Sequence, residues 1–103
     1  MYIEKLRSLC INNKYTKICF NIIENSLNRQ KVNEYFEKHH ILPKSFGLGG
    51  EIDPKNIVNL TFREHYIIHK LLTKIIIEKN LRRKMYFALW QMSNRNTISV
   101  NSR

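Results

Sequence analysis

Proline and glycine are scarce in this chain, two and three in 103 residues. That scarcity excludes collagen-like and linker-like compositions, and the 43% of apolar residues recur in periodic segments, as in a folded domain. Cysteine is scarcer still. Cys10 and Cys19 alone cannot supply the disulfide framework of a small secreted domain, and no secretory apolar segment precedes them. Both are expected as buried thiols in a reducing, cytoplasmic setting. No apolar run reaches membrane-spanning length; the stretch Ile75 to Ile77, for one, is bounded by Lys74 and Glu78. Acidic residues are also few, 8 against 18 Lys and Arg, and the formal charge of +10 makes polyanions, nucleic acid first among them, the natural partners. Charge alone does not separate a nuclease from a basic ribosome-associated protein.

A chain of this length holds one core, so a single domain over 1–103 is expected. Tyr15, Ile18, Cys19, Ile22, Ile23 and Leu27 recur at three-and-four spacing and predict an amphipathic helix over about 15–28 with that face inward. Met1 to Leu9 suits a shorter helical turn. Beyond a polar connection, Glu34 to Leu42 reads as a strand that Pro43 ends. Lys44 to Lys55 gathers all three glycines and the Asp53-Pro54 pair, a structureless stretch of a length that compact domains keep for function. Ile57, Val58 and Leu60 then suit a second strand returning antiparallel to the first.

Thr61 and Glu64 form a capping box that opens a helix with Phe62 to about Lys79 as its body, burying Ile68, Leu71, Leu72, Ile75 and Ile76. Asn80 is placed to close it. Leu81, Met85, Ala88, Leu89 and Met92 mark a last helix over about 81–92, and the polar residues from Ser93 to Arg103 are expected to fray or dock loosely. The expected fold is α+β: a short antiparallel hairpin plus a helix over about 34–79, flanked by N- and C-terminal helices.

The four histidines fall into two pairs. His65 and His69 share one helix face at i and i+4, so both imidazoles can converge on one ion; the alternative, two polar residues on a solvated face, fits poorly beside Ile68, Leu72 and Ile76. His39 and His40 are strand neighbours and point to opposite faces, so their roles must divide. If one completes a three-histidine site, the other remains close to it but unbound, where a neutral imidazole can act as a general base. Three protein nitrogens leave a coordination position open, as in catalytic metal sites, and the lack of cysteine near either pair argues against a zinc finger.

The run Glu37-Lys38-His39-His40-Ile41-Leu42-Pro43-Lys44-Ser45, then Gly49-Gly50, Asn56-Ile57-Val58-Asn59-Leu60, Glu64-His65 and His69 resembles the HNH, or ββα-metal, nucleases, particularly the HNH homing endonucleases of bacteriophages. Arg29 and the Tyr35-Phe36-Glu37 approach look similar too. The resemblance implies a ββα-metal motif gripping one divalent ion (Mg2+, Mn2+ or Zn2+), with His39, His65 and His69 as ligands and His40 as general base. Asn56, rather than Asn59, is implied to tie the loop and keep that base oriented. Double-stranded DNA is the implied substrate, cut to a 5′ phosphate and a 3′ hydroxyl, inside the host cell of a phage. Glu37 lies on the strand face of His39 and is placed to orient that ligand, or is a plain surface carboxylate. Lys44, Arg63, Lys70, Lys74, Arg82, Arg83 and Lys84 are candidate phosphate contacts, none specific by itself. Members of that family commonly continue into further DNA-binding segments, which Ser93 to Arg103 do not supply. A second reading keeps the metal as a structural staple in a non-catalytic DNA-binding module, and a third, weaker one is a toxin-like nuclease. A free imidazole beside the site favours the enzyme.

Overall fold

The Thr61 hydroxyl accepts from the Glu64 backbone N–H at 3.2 Å while the Glu64 carboxylate accepts from the Thr61 N–H at 2.9 Å. That reciprocal cap satisfies two orphan donors and opens the central helix where the sequence places it. The computed structural model describes residues 1–30 and 35–101, of which 95–101 are described as helix backbone. Within them the order is α1 (Tyr2–Ser8), α2 (Lys14–Leu27), β1 (Glu37–His40), β2 (Ile57–Leu60), α3 (Phe62–Ile75) and α4 (Lys79–Asn101). The strands pair antiparallel as one hairpin, so the arrangement is α+β with a ββα unit at its centre. Single 3₁₀ turns at Lys44–Phe46 and Pro54–Asn56 interrupt the long hairpin connection.

α3 packs against α2, α4 and both strands. Ile68, Leu72 and Ile75 from α3 meet Phe20 and Ile23 from α2, Ile41, Leu42, Val58 and Leu60 from the hairpin, and Met85 from α4, all of them buried. Each such side chain contributes about 1.5 to 3 kcal/mol through burial. No described helix is long and apolar enough to cross a membrane.

Five sequence expectations need correction. α3 stops at Ile75, short of Lys79, because Ile76 turns extended (φ −69, ψ 124) and forms an antiparallel bridge with Cys10. The Ile11 N–H donates to the Ile75 carbonyl at 2.8 Å and the Ile77 N–H to the Leu9 carbonyl at 3.0 Å, which ties the end of α3 to the α1–α2 connection. A run of three β-branched isoleucines suits that extended piece. Asn80 does not close α3; it lies in the first turn of α4, where the Glu78 carboxylate accepts from the Asn80 and Leu81 N–H groups at 3.0 and 2.8 Å. The backbone from Ser93 to Asn101 continues α4 as helix rather than fraying. On α2 the buried stripe is Thr16, Cys19, Phe20, Ile23 and Ser26, rotated about one residue from the expected face, so Tyr15, Ile18 and Leu27 are exposed. Both cysteines are free and buried as expected. The first strand is shorter than the expected 34–42, and Glu34 lies outside the described residues.

Candidate functional site

Register decides which strand face carries which histidine. Glu37 pairs with Leu60 and His39 with Val58, while Lys38 pairs with Asn59 and His40 with Ile57. The buried partners Leu60 and Val58 put Glu37 and His39 on the face against α3, and His40 on the other. There the His39 ring meets His65 and His69 edge-on, with centroids 5.1 Å away in each case, and the His65 and His69 rings are 4.8 Å apart. One nitrogen from each of the three rings lies within 4.8 Å of the others.

Burial, together with the neighbouring His69, His65 and His40, holds His39 well below the usual imidazole value, so it stays neutral with a lone pair to offer. Its Nε2 is buried without a hydrogen-bond partner, a cost of roughly 1 to 3 kcal/mol that coordination would remove. His65 donates from Nδ1 to Glu37 Oε1 at 2.8 Å, which leaves its Nε2 as the ligating atom, 3.1 Å from His69 Nε2. Two nitrogens on one tetrahedral ion stand roughly 3.4 Å apart at the usual zinc bond lengths. The three histidines therefore fit a divalent cation by donor type and spacing. Glu37 orients His65, not His39 as its strand position suggested, because the carboxylate reaches across to α3.

On the opposite face His40 donates from Nε2 to the Glu51 carbonyl at 2.8 Å, so Nδ1 is its basic nitrogen. The loop that presents this carbonyl is pinned by Asn56, which is fully buried. Asn56 Oδ1 accepts from the Leu42 N–H at 2.8 Å, and its Nδ2 donates to the Leu42 and Gly50 carbonyls at 3.1 and 3.0 Å. Asn59, on the exposed face of β2, takes no part in this set. From α1, Tyr2 donates to Asp53 Oδ2 at 2.5 Å and Lys5 Nζ to the Leu48 carbonyl at 3.0 Å. Gly50, at φ +78, lies so close to the Tyr2 ring that a Cβ there would meet Cε1 at 2.3 Å. The Tyr2 hydrogen bond, followed by the Lys55 backbone N–H, holds the Asp53 carboxyl below its ordinary value.

A cleft of about 500 Å3 joins the two faces, lined by all four histidines with Lys38, Pro43, Lys44, Ser45, Glu51, Met85 and Ala88. Of the expected phosphate contacts only Lys44 lines it, paired with Glu51 at 3.2 Å. Arg63, Lys70 and Lys74 are exposed elsewhere on α3. Arg83 and Lys84 line a separate groove on α4, and half-buried Arg82 precedes them. Sequence reasoning missed Tyr2, Lys5 and the Glu51 carbonyl. Their contacts span 51, 43 and 11 positions, and no local pattern announces them. Arg29 was noticed without a role; its guanidinium lies over Phe36 and donates to Glu64 Oε2 at 2.5 Å. Burial pushes the Glu64 carboxyl up, but the Arg29 and Thr61 hydrogen bonds outweigh it and hold the group below its ordinary value.

Fold and site together define an α+β chain in which a hairpin and a helix bring three histidines within reach of one metal ion. The chain is similar to phage T4 proteins. It is 40% identical over 80 residues to "Probable mobile endonuclease E" of Enterobacteria phage T4, covering 78% of this chain and 52% of that protein. It is 37% identical over 91 residues to "Probable mobile endonuclease C" of the same phage (85% and 40%), and 48% identical over 65 residues to "Probable mobile endonuclease D" (59% and 24%). The chain thus spans about half or less of the length of these curated relatives. No protein-family model matches it, and no solved structure does.

Proposed function

We propose that this chain is an HNH-type, metal-dependent endonuclease domain that hydrolyses phosphodiester bonds of double-stranded DNA. The observation that carries the reading is the division of β1: His39 turns inward to meet His65 and His69, and His40 turns outward with its Nε2 committed to a loop carbonyl. The names of the T4 relatives support the same activity, in the manner of a homing endonuclease acting within the host cell.

His39, His65 and His69 would hold one divalent ion, Mg2+, Mn2+ or Zn2+, which when bound supplies Lewis-acid stabilisation of the charge developing on the phosphate oxygens. His40 Nδ1 accepts the proton of the attacking water, and the hydrogen bond to Glu51 keeps the ring turned for it. Asn56 acts on His40 through the loop, not on the substrate. Glu37 keeps the His65 Nε2 lone pair available by accepting the hydrogen bond that holds the ring proton on Nδ1. Lys44, at the cleft, and the surrounding positive charge draw in the phosphate backbone. The products carry a 5′ phosphate and a 3′ hydroxyl.

Supercoiled plasmid incubated with the protein across several divalent cations tests this directly. Nicking or linearisation that disappears in chelator and in His40→Ala is expected. A wild-type protein that binds the cation and DNA but never cuts, and that unfolds on chelation, would instead establish a metal-stapled binding module.

A further inference from the structure

α4 departs from the rest of the molecule in charge and in what it leaves uncovered. Between Lys79 and Asn101 its sequence holds five basic residues and no acidic one. Its inward side is served by Met85 and Met92, yet Tyr86, Phe87 and Trp90 stand 56%, 58% and 61% exposed. Phe87 and Trp90 are one turn apart and already parallel, with ring centroids 6.0 Å apart and planes 16° from coplanar. Leaving flat rings in water forfeits the gain that burial gives elsewhere, so their exposure calls for an occupant.

A groove of about 760 Å3 runs along this side, lined by Ser45, Asn80, Arg83, Lys84, Phe87, Ala88 and Gln91. Ser45 and Ala88 also line the histidine cleft, so groove and cleft adjoin. Lys84 fixes the junction by donating to the Ser45 carbonyl at 2.8 Å. A chain of charge +10 disfavours a second copy of itself on this helix. Arg83 and Lys84 share the groove with Phe87, and Trp90 is stacked on Phe87 one turn further on. Flat rings beside cations, next to the cleft, match a polynucleotide whose bases are unpaired: a base stacks on the rings while guanidinium and ammonium groups take its phosphates.

We propose that Phe87 and Trp90, with Arg83 and Lys84, form a stacking platform for an unpaired stretch of nucleic acid next to the histidine cleft. The inference deepens the nuclease reading: where the duplex opens beside the cleft, α4 would hold the unpaired strand. Its test needs neither metal nor cleavage.

Trp90 is the chain's single tryptophan, so its emission reports on the platform alone. In chelator, titration with a single-stranded DNA oligonucleotide is expected to quench Trp90 more strongly, and at lower concentration, than the matched duplex. Phe87→Leu, which keeps the apolar bulk and removes the flat ring, should weaken that binding roughly 5- to 100-fold, and Phe87→Tyr should restore it. Arg83→Gln should lower the slope of log affinity against log salt by about 0.7. Equal binding by Phe87→Leu and wild type overturns the platform, as does stronger quenching by duplex, polyglutamate or phosphatidylglycerol vesicles. The two readings fail separately. A protein that cuts plasmid but whose Trp90 ignores the oligonucleotide loses the platform alone, whereas one that binds the oligonucleotide as described but never cuts loses the nuclease.

Discussion

His39 and His40 are neighbours in sequence, yet the regions they face are held by different means. The inner region is side chain against side chain: His39, His65, His69 and Glu37, with residues of one strand touching residues of one helix. The outer region is a loop of backbone carbonyls, in which Glu51 receives His40 and Gly50 receives Asn56. Its far edge is fastened by α1 through Tyr2 and Lys5. The inner region can close round a charge, and the outer one can only aim a ring. The difference shows how one strand serves two chemical tasks: period-two alternation separates the side chains, and separate supports then tune each.

The sharpest way to break the comparison is to remove one histidine at a time. His40→Ala is expected to lower plasmid cleavage about 10²- to 10⁴-fold with cation affinity, measured by calorimetry, unchanged. His39→Ala should abolish both. Equal loss of cation binding in the two variants would mean that the faces do not divide the work.

Next in size is the pin of the outer region. Asn56→Ala leaves the Leu42 N–H and the Leu42 and Gly50 carbonyls without their side-chain partner. A loss of roughly 1 to 3 kcal/mol is expected in denaturant unfolding, with cleavage falling further than cation affinity does.

Gly50→Ala should cost about 1 to 2 kcal/mol for the left-handed backbone alone, and more because its Cβ meets the Tyr2 ring. Adding Tyr2→Ala should recover the excess in a double-mutant cycle, and strictly additive effects would remove Tyr2 from the outer region's support.

The smallest effect is electrostatic. Asp53 has its folded pKa lowered by the Tyr2 hydrogen bond, so its contribution is present above the ordinary value of 3.8 and lost as pH falls through the folded one. Tyr2→Phe should therefore lower stability slightly across the neutral range, with the difference from wild type fading as pH falls below about 4, which flattens the acid limb. Hydrogen exchange in the Gly50–Asp53 loop is the measurement, and an unchanged acid limb would show that the contact carries no linkage.

Much of the inner region was legible because it rests on local geometry. Spacing of i and i+4 sets His65 beside His69 on any helix, and Thr61 with Glu64 announces where that helix begins. The partner of Glu37 was not legible. Face and spacing point it toward His39, and only the approach of α3 to β1 hands it to His65. The end of α3 was hidden for a similar reason: the apolar period runs on through Ile76, and a bridge to Cys10, far away in sequence, breaks it. On α2 two overlapping apolar stripes compete, and packing chose the one containing Phe20, over which the Arg7 guanidinium lies at 4.3 Å.

The order of the amino acids was enough to determine the hairpin, the capped helix, the two histidine pairs and the opposed directions of His39 and His40. Each follows from bond geometry within a few residues of chain. The tertiary structure alone decided that the pairs meet, that Glu37 serves His65, that α1 supports the loop beneath His40, and that α4 runs on past Ser93 with its aromatic rings uncovered. Those outcomes depend on distances between segments remote along the chain, which packing sets and no local repeat encodes.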